Sequence, residues 1–362
     1  MTSERIETVR LLLERGIRAG SAPGMVAAWQ MATDPSPQIE VVGRAGVQPS
    51  SVPASPATWF DLASLTKPLV VGTLTLLSMR GGMLSPNTVV EEVLPETSNF
   101  PVGTRTIRQL LTHSSGLPAW EPLYALAGGD PKYALDALVG LTLGEPDTHV
   151  VYSCPGFILL GMMLERLADT SLDALFIRQV IEPLGLEEEL GFRPNSSRPL
   201  AGGAQAPAVE RSLLIERGLD PTAIPAIASD RPDDGNSRFL GGVTGNAGLF
   251  GTITGVLALA MVYLGEGEYL TPEEISLATA DHTPGLEQSR GFGWQLAGSP
   301  ACSAGPALDP SAFGHTGFTG TSLWVDPTRG IAMTLLTNRV HPGHRPTDLH
   351  PLRRRFHQLV TG

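Results

Sequence analysis

The chain has 362 residues, 42% of them hydrophobic and 17% charged, which excludes a disordered polymer and favours more than one packed unit. A formal net charge of −11, from 25 basic and 36 acidic residues, argues against a phosphate-gripping nucleic-acid surface. With 41 glycines and 31 prolines, many turns and at least one long loop are expected.

The first residues, Met1-Thr2-Ser3-Glu4-Arg5-Ile6-Glu7, show no basic region followed by an apolar one, so no signal peptide is visible and a cytoplasmic location is expected. Residues 3–19 predict an amphipathic helix, with Ile6, Val9, Leu12, Leu13 and Ile17 on one face and Ser3 as its N-cap. Met25–Met31 and Gln38–Arg44 predict two strands joined by the turn at Asp34-Pro35-Ser36-Pro37. Ser64–Met79 predicts one buried helix. Helical periodicity recurs at Thr106–Leu111, Tyr133–Gly140, Gly156–Ala168 and Leu172–Ile181. Residues 193–236 predict a lid or site-flanking loop broken by one helical piece, Val209–Arg217.

A helix at Thr254–Leu264 follows, and its apolar run Val256–Leu264 is about half the roughly 20 residues a bilayer span needs. Gly293–Ala297, Thr321–Asp326 and Gly330–Thr337 then read as strands, and 346–360 as a closing helix. Arg353-Arg354-Arg355 is expected to cap that helix. Strands at both ends with helices between predict an α+β fold, in which an antiparallel sheet built from both termini is flanked by the N- and C-terminal helices. Residues 1–63 and 238–362 would form the sheet domain, and 64–237 an inserted, mainly helical domain.

Three short motifs carry chemistry. In Ser64-Leu65-Thr66-Lys67, helical spacing puts Lys67 beside the Ser64 hydroxyl, and Pro68 suits a first turn. A serine hydroxyl becomes a useful nucleophile when a neighbour takes its proton, as a desolvated lysine of lowered pKa does. Of the 25 basic residues only Lys67 and Lys132 are lysines, which marks Lys67 for a role that arginine cannot fill, such as losing a proton near pH 7. Tyr152-Ser153-Cys154 precedes a helix on a loop that could face a cleft, where a tyrosine beside an ammonium shuttles protons. Gly314-His315-Thr316-Gly317 lies just before a strand, and its glycines let a ligand approach the backbone.

Other patterns are weaker. Gly242, Gly245, Gly248 and Gly251 match no phosphate loop, and His341-Pro342-Gly343-His344 cannot set two imidazoles on one helix face. His113 reads as a structural, hydrogen-bonding histidine. Cys154 and Cys302 make neither a disulfide framework nor a metal pair. GxSxG and HExxH motifs are absent, which argues against an α/β-hydrolase and a zincin. No metal or organic cofactor is expected.

In this order, the Ser-Leu-Thr-Lys, Tyr-Ser-Cys and His-Thr-Gly motifs resemble those of the serine β-lactamase and penicillin-binding-protein superfamily. They look most like its class C β-lactamase-related branch of esterases, D-amino-acid peptidases and DD-carboxypeptidases. Leu110–Pro118, Gly241–Thr252 and Gly314–Asn338 extend the likeness to roughly residues 20–360. The resemblance implies a β-lactamase/transpeptidase-like fold and an acyl-enzyme on Ser64, with Lys67 and Tyr152 sharing proton transfer. It implies an oxyanion hole from the backbone N–H groups of Ser64 and Phe318, and substrate contacts at Cys154, His315, Thr316 and Gly317. Cys154 stands where the family usually has Asn, and His315 where β-lactamases usually have Lys. Both changes favour small ester or peptide substrates over efficient β-lactam hydrolysis. The alternatives are a β-lactamase, a slowly deacylating penicillin-binding protein, and a catalytically silent ligand-binding protein of the same fold.

Overall fold

The computed structural model describes residues 3–46, 51–202, 206–226, 228, 230–300, 302–341 and 347–362. Helix α1 (Ser3–Arg18) leads into strands β1 (Gly24–Met31) and β2 (Gln38–Gly46), followed by the two-residue strands β3 (Val52–Pro53) and β4 (Phe60–Asp61). The expected single helix after Ser64 is three pieces: a 3-10 turn at Ala63–Leu65, a π-helical stretch at Lys67–Gly72, and helix α2 (Thr73–Arg80). The wider winding shows in the Thr73 N–H, which reaches back five residues to the Pro68 carbonyl. Such π-turns recur at functional sites.

Helix α3 (Cys154–Ala168) starts two residues earlier than its periodicity suggested, because Ser153 caps it by accepting from Gly156 N–H at 3.2 Å. Strand β5 (Leu190–Gly191), helix α4 (Ala206–Glu216), strand β6 (Phe250–Gly251) and helix α5 (Ile253–Tyr263) follow. The chain closes with β7 (Gln295–Leu296), β8 (Phe313–Thr316), β9 (Ser322–Asp326), β10 (Ile331–Thr337) and α6 (His350–Thr361). The elements not legible from the sequence include β8, expected only as an approach to β9, the two-residue strands β3 to β6, and a helix at Pro272–Thr279.

Seven strands form one sheet in the order β3-β2-β1-β10-β9-β8-β7, with β1 from the N-terminal part paired antiparallel to β10 from the C-terminal part. Alternation of side chains divides the strands between two cores. Met25, Ala27, Trp29, Trp324, Met333 and Leu335 pack under α1 and α6, whereas Val26, Ala28, Leu323, Val325, Ala332 and Leu336 face α5 and the helical side. A second sheet, β4-β6-β5, joins residues far apart in sequence just before Ser64. Among the described residues no helix is long and apolar enough to cross a membrane.

Candidate active site

Ser64 follows a residue held in an unusual conformation: Ala63 has φ of +48°, a left-handed backbone that costs a residue with a Cβ about 1–2 kcal/mol. Asp61 Oδ1 accepts the Ala63 N–H at 2.8 Å, and the Thr66 hydroxyl donates to the Ala63 carbonyl at 2.6 Å. One turn on, Lys67 is fully buried and donates to Ser64 Oγ at 3.0 Å and to the Asn246 carbonyl at 2.9 Å. Cys154 Sγ lies 3.6 Å from the same ammonium.

The Tyr152 loop hangs on residues 113–119. His113, itself at φ +61°, takes the Ser153 N–H on Nδ1 at 3.0 Å and the Val151 N–H on its carbonyl at 2.9 Å. Cys154 N–H donates to the Ala119 carbonyl at 2.9 Å. The Tyr152 ring packs against His113 at 4.6 Å and His315 at 5.7 Å between centroids, with Lys67 Nζ 4.9 Å above it. Lys67 and Ser64 both act on its phenol to favour the ionised form.

Burial pushes the Tyr152 phenol and the Cys154 thiol up, so both are neutral near pH 7. For Lys67, burial pulls downward, Cys154 and Tyr152 pull upward to the extent that they ionise, Asp234 adds to them, and the net direction is up. That direction is opposite to the lowered lysine pKa anticipated from the sequence. His315 is neutral. Burial first, then the charges of Lys67 and Arg290, hold it well below the ordinary histidine range, and Nδ1–H donates to the Thr316 carbonyl at 2.8 Å.

Gly317 closes the site through its missing side chain. A Cβ there would stand 2.2 Å from Thr321 Oγ1 and 2.7 Å from the Leu62 carbonyl, so β8 could not approach the Ser64 turn. The next residue, Phe318, is 40% exposed, and its N–H has no acceptor among the described residues.

Two cavities meet at Ser64, Tyr152 and Phe318. One, about 260 Å³, is walled by Ala63, Trp120, Cys154, Val209, Leu213 and Ala247, with Glu210, Asp233 and Asp234 along its edge. The Glu210 carboxyl is pushed up to about 7 by burial and accepts from Gly235 N–H at 2.8 Å and Tyr124 OH at 3.1 Å, which pins α4 over this lobe. The other, about 400 Å³, is polar and lined by His315, Thr316 and Gly317 together with Arg290, Arg339 and Arg353. Those guanidinium groups bond Gln288, the Phe318 and Thr347 carbonyls, and the Thr321 carbonyl, and among the described residues none is ion-paired.

All eight residues singled out from the sequence thus surround one cleft: Ser64, Tyr152 and Phe318 at its centre, Cys154 in the apolar lobe, His315, Thr316 and Gly317 in the polar lobe, and Lys67 beneath. The arginines were missed. The run 353–355 lies in the first half of α6 and does not cap its end; Arg353 is buried, 4% exposed, and turned into the cleft. Its place in a charged run concealed this, and Arg290 carried no local signal. Of the two histidines doubted as metal ligands, His344 lies outside the described residues. Among the described residues no group of three or more His, Cys, Asp or Glu side chains is placed to hold a metal.

The family model described as Beta-lactamase matches residues 13–358. A putative D-alanyl-D-alanine carboxypeptidase of Escherichia coli (strain K12) is 27% identical over 324 residues, covering 80% of this chain and 71% of the relative. An N-acetylmuramyl-L-alanine amidase of Bacillus subtilis (strain 168) is 29% identical over 313 residues, with coverage of 78% and 68%. Among solved structures, EstCE1, a hydrolase with promiscuous acyltransferase activity, superposes with a TM-score of 0.75 at 22% identity, covering 99% of this chain and 98% of the other. A class C beta-lactamase gives 0.74 at 18% identity, with coverage of 99% and 96%. At these identities the structural matches establish the shared fold.

Proposed function

This chain belongs to the beta-lactamase family, and from that premise we propose that it is a serine hydrolase working through an acyl-enzyme on Ser64. The observation that carries the proposal is the contact of a fully buried lysine with a serine hydroxyl at the floor of a cleft: Lys67 Nζ to Ser64 Oγ, 3.0 Å. In the active form the Lys67–Tyr152 pair holds one proton fewer than at rest. Ser64 Oγ attacks the substrate carbonyl and its proton passes to that pair. The N–H groups of Ser64 and Phe318 stabilise the oxyanion, the pair returns the proton to the leaving group, and water then releases the acyl group and restores Ser64.

The two lobes support a substrate that is apolar on one side of the reacting carbonyl and anionic on the other. Asp348 acts on Arg339 and Arg353, whereas Arg290 is buried with no acid partner among the described residues, a costly arrangement unless a ligand supplies the negative charge. The polar lobe therefore favours a carboxylate-bearing small ester or peptide and offsets the neutrality of His315. A β-lactam fits the same description, so slow β-lactam turnover is the second reading, favoured by Arg290 and Arg353.

The test is release of p-nitrophenol from a short-chain ester by wild type and Ser64→Ala. Loss of at least 10³-fold in the variant is expected. Equal rates, or no turnover by either protein, would overturn Ser64 catalysis of ester hydrolysis.

A further inference from the structure

Asp61, at the end of β4, holds together three walls of the cleft. Its buried carboxylate, on a residue 7% exposed, accepts Ala63 N–H on Oδ1 and Asp233 N–H on Oδ2, each at 2.8 Å. Its main-chain carbonyl accepts from Thr319 Oγ1 at 2.7 Å, and the adjoining Leu62 carbonyl from Thr321 Oγ1 at 3.1 Å. These bonds join the left-handed turn before Ser64, the Asp233–Asp234 edge of the apolar lobe, and the turn that carries Phe318.

A backbone held at φ +48° persists only where its surroundings over-determine it, and the Asp61–Ala63 bond is one such constraint. Only a carboxylate offers two acceptor oxygens and no donor, which is what two converging N–H groups require. Asparagine would turn its own NH2 against one of them. The group is kept there although burial pushes its carboxyl up to about 6; of the charged groups that act on it, Asp234 raises it further and Arg238 lowers it.

We propose that Asp61 is a positioning residue for the Ser64 reaction: it fixes the Ser64 turn relative to the Phe318 turn, and hence the two oxyanion donors relative to each other, and ties both to the wall of the apolar lobe. The assignment rests on Ser64 being the nucleophile. It touches neither substrate nor the reacting atoms, so its effect belongs in the transition state rather than in binding.

The experiment compares wild type, Asp61→Asn and Thr319→Val in steady-state hydrolysis of p-nitrophenyl butyrate and in amide hydrogen exchange. Asp61→Asn is expected to lower kcat by about 10- to 100-fold with KM within about threefold, the pattern of an interaction made in the transition state. Exchange at Ala63 and Asp233 should quicken by about tenfold or more while the β1–β10 amides stay protected. Thr319→Val, which cuts only the tie to the Phe318 turn, should lower kcat by a smaller factor in the same direction, and it carries the test alone should Asp61→Asn not fold. A kcat within twofold of wild type, a loss confined to KM, or unchanged exchange at Ala63 and Asp233 would overturn the proposal. A wild type inert towards the ester, together with faster exchange at those two amides in Asp61→Asn, would uphold the hold on the turn and count against the hydrolase reading instead.

Discussion

Lys67 Nζ stands 3.0 Å from Ser64 Oγ with no carboxylate bonded to it among the described residues, its other partners being the Asn246 carbonyl and the Cys154 thiol. An ammonium in that setting donates to the nucleophile and cannot take its proton. Lys67 and Tyr152 are both shifted upward, which favours the form with one proton too many. For a neutral ester, log(kcat/KM) should rise with pH at a slope near one through pH 8, levelling above the apparent pKa of the pair. A pH–rate series from 6 to 10 reads this directly, and a flat profile would contradict it.

Tyr152→Phe removes the hydroxyl and keeps the ring that packs between His113 and His315. A drop in kcat of about 10²- to 10⁴-fold is expected, the usual worth of a positioned proton carrier. Because the ring contacts survive, calorimetry should show a melting temperature close to wild type. A mutant with full activity would remove Tyr152 from the proton path.

Cys154 is the weakest of the Lys67 contacts, at 3.6 Å through a poor sulfur acceptor. Cys154→Ala should therefore keep kcat within about fivefold of wild type. A loss of a hundredfold in steady-state assays would show instead that the thiol holds Lys67 in place.

Arg290 is 6% exposed, with its guanidinium 5.9 Å from the Tyr152 ring and no acid partner among the described residues. Arg290→Gln should raise KM about 10- to 100-fold for an ester carrying a carboxylate, in line with one charge-assisted hydrogen bond, and leave KM for a neutral ester unchanged. Parallel kinetics on the two esters decide the matter; equal effects on both would remove the anion-binding role.

Asp147 anchors the segment leading to Tyr152. Burial works to raise its carboxyl, but bonds from Arg108, Gln109 and Ser114 outweigh this and hold it at about 2, below the ordinary 3.8. A depressed carboxyl stabilises the fold above the unfolded pKa, and that contribution is lost as pH falls from about 4 towards 2. Urea unfolding of Asp147→Asn should show lower stability than wild type at pH 7 and a shallower decline between pH 4 and 2. The side chain is 40% exposed, so screening keeps the effect modest. Parallel curves for the two proteins would refute the linkage.

Local spacing and periodicity determined much by themselves. Strands β1, β9 and β10 were readable as short, largely apolar runs because both their faces are buried, and the serine–lysine pair because three residues along a helical turn fix their proximity. The ordered motifs also drew Tyr152 and His315 to the same place. Tertiary structure alone decided the rest. Strands of two residues, such as β4 and β6, carry no period to detect, and they exist because chain segments far apart in sequence meet. The direction in which the Lys67 pKa moves is set by burial, which lowers it, against neighbours 85 and 87 residues away, which raise it, and not by its motif. Arg290 and Arg353 become one charged wall only when β7 and α6 are brought to the same end of the cleft, and Asp61 becomes a clamp only when Asp233 and Thr319 fold against it. Charge and hydrogen bonding act through space, so their consequences cannot be read until the chain has chosen which residues are neighbours.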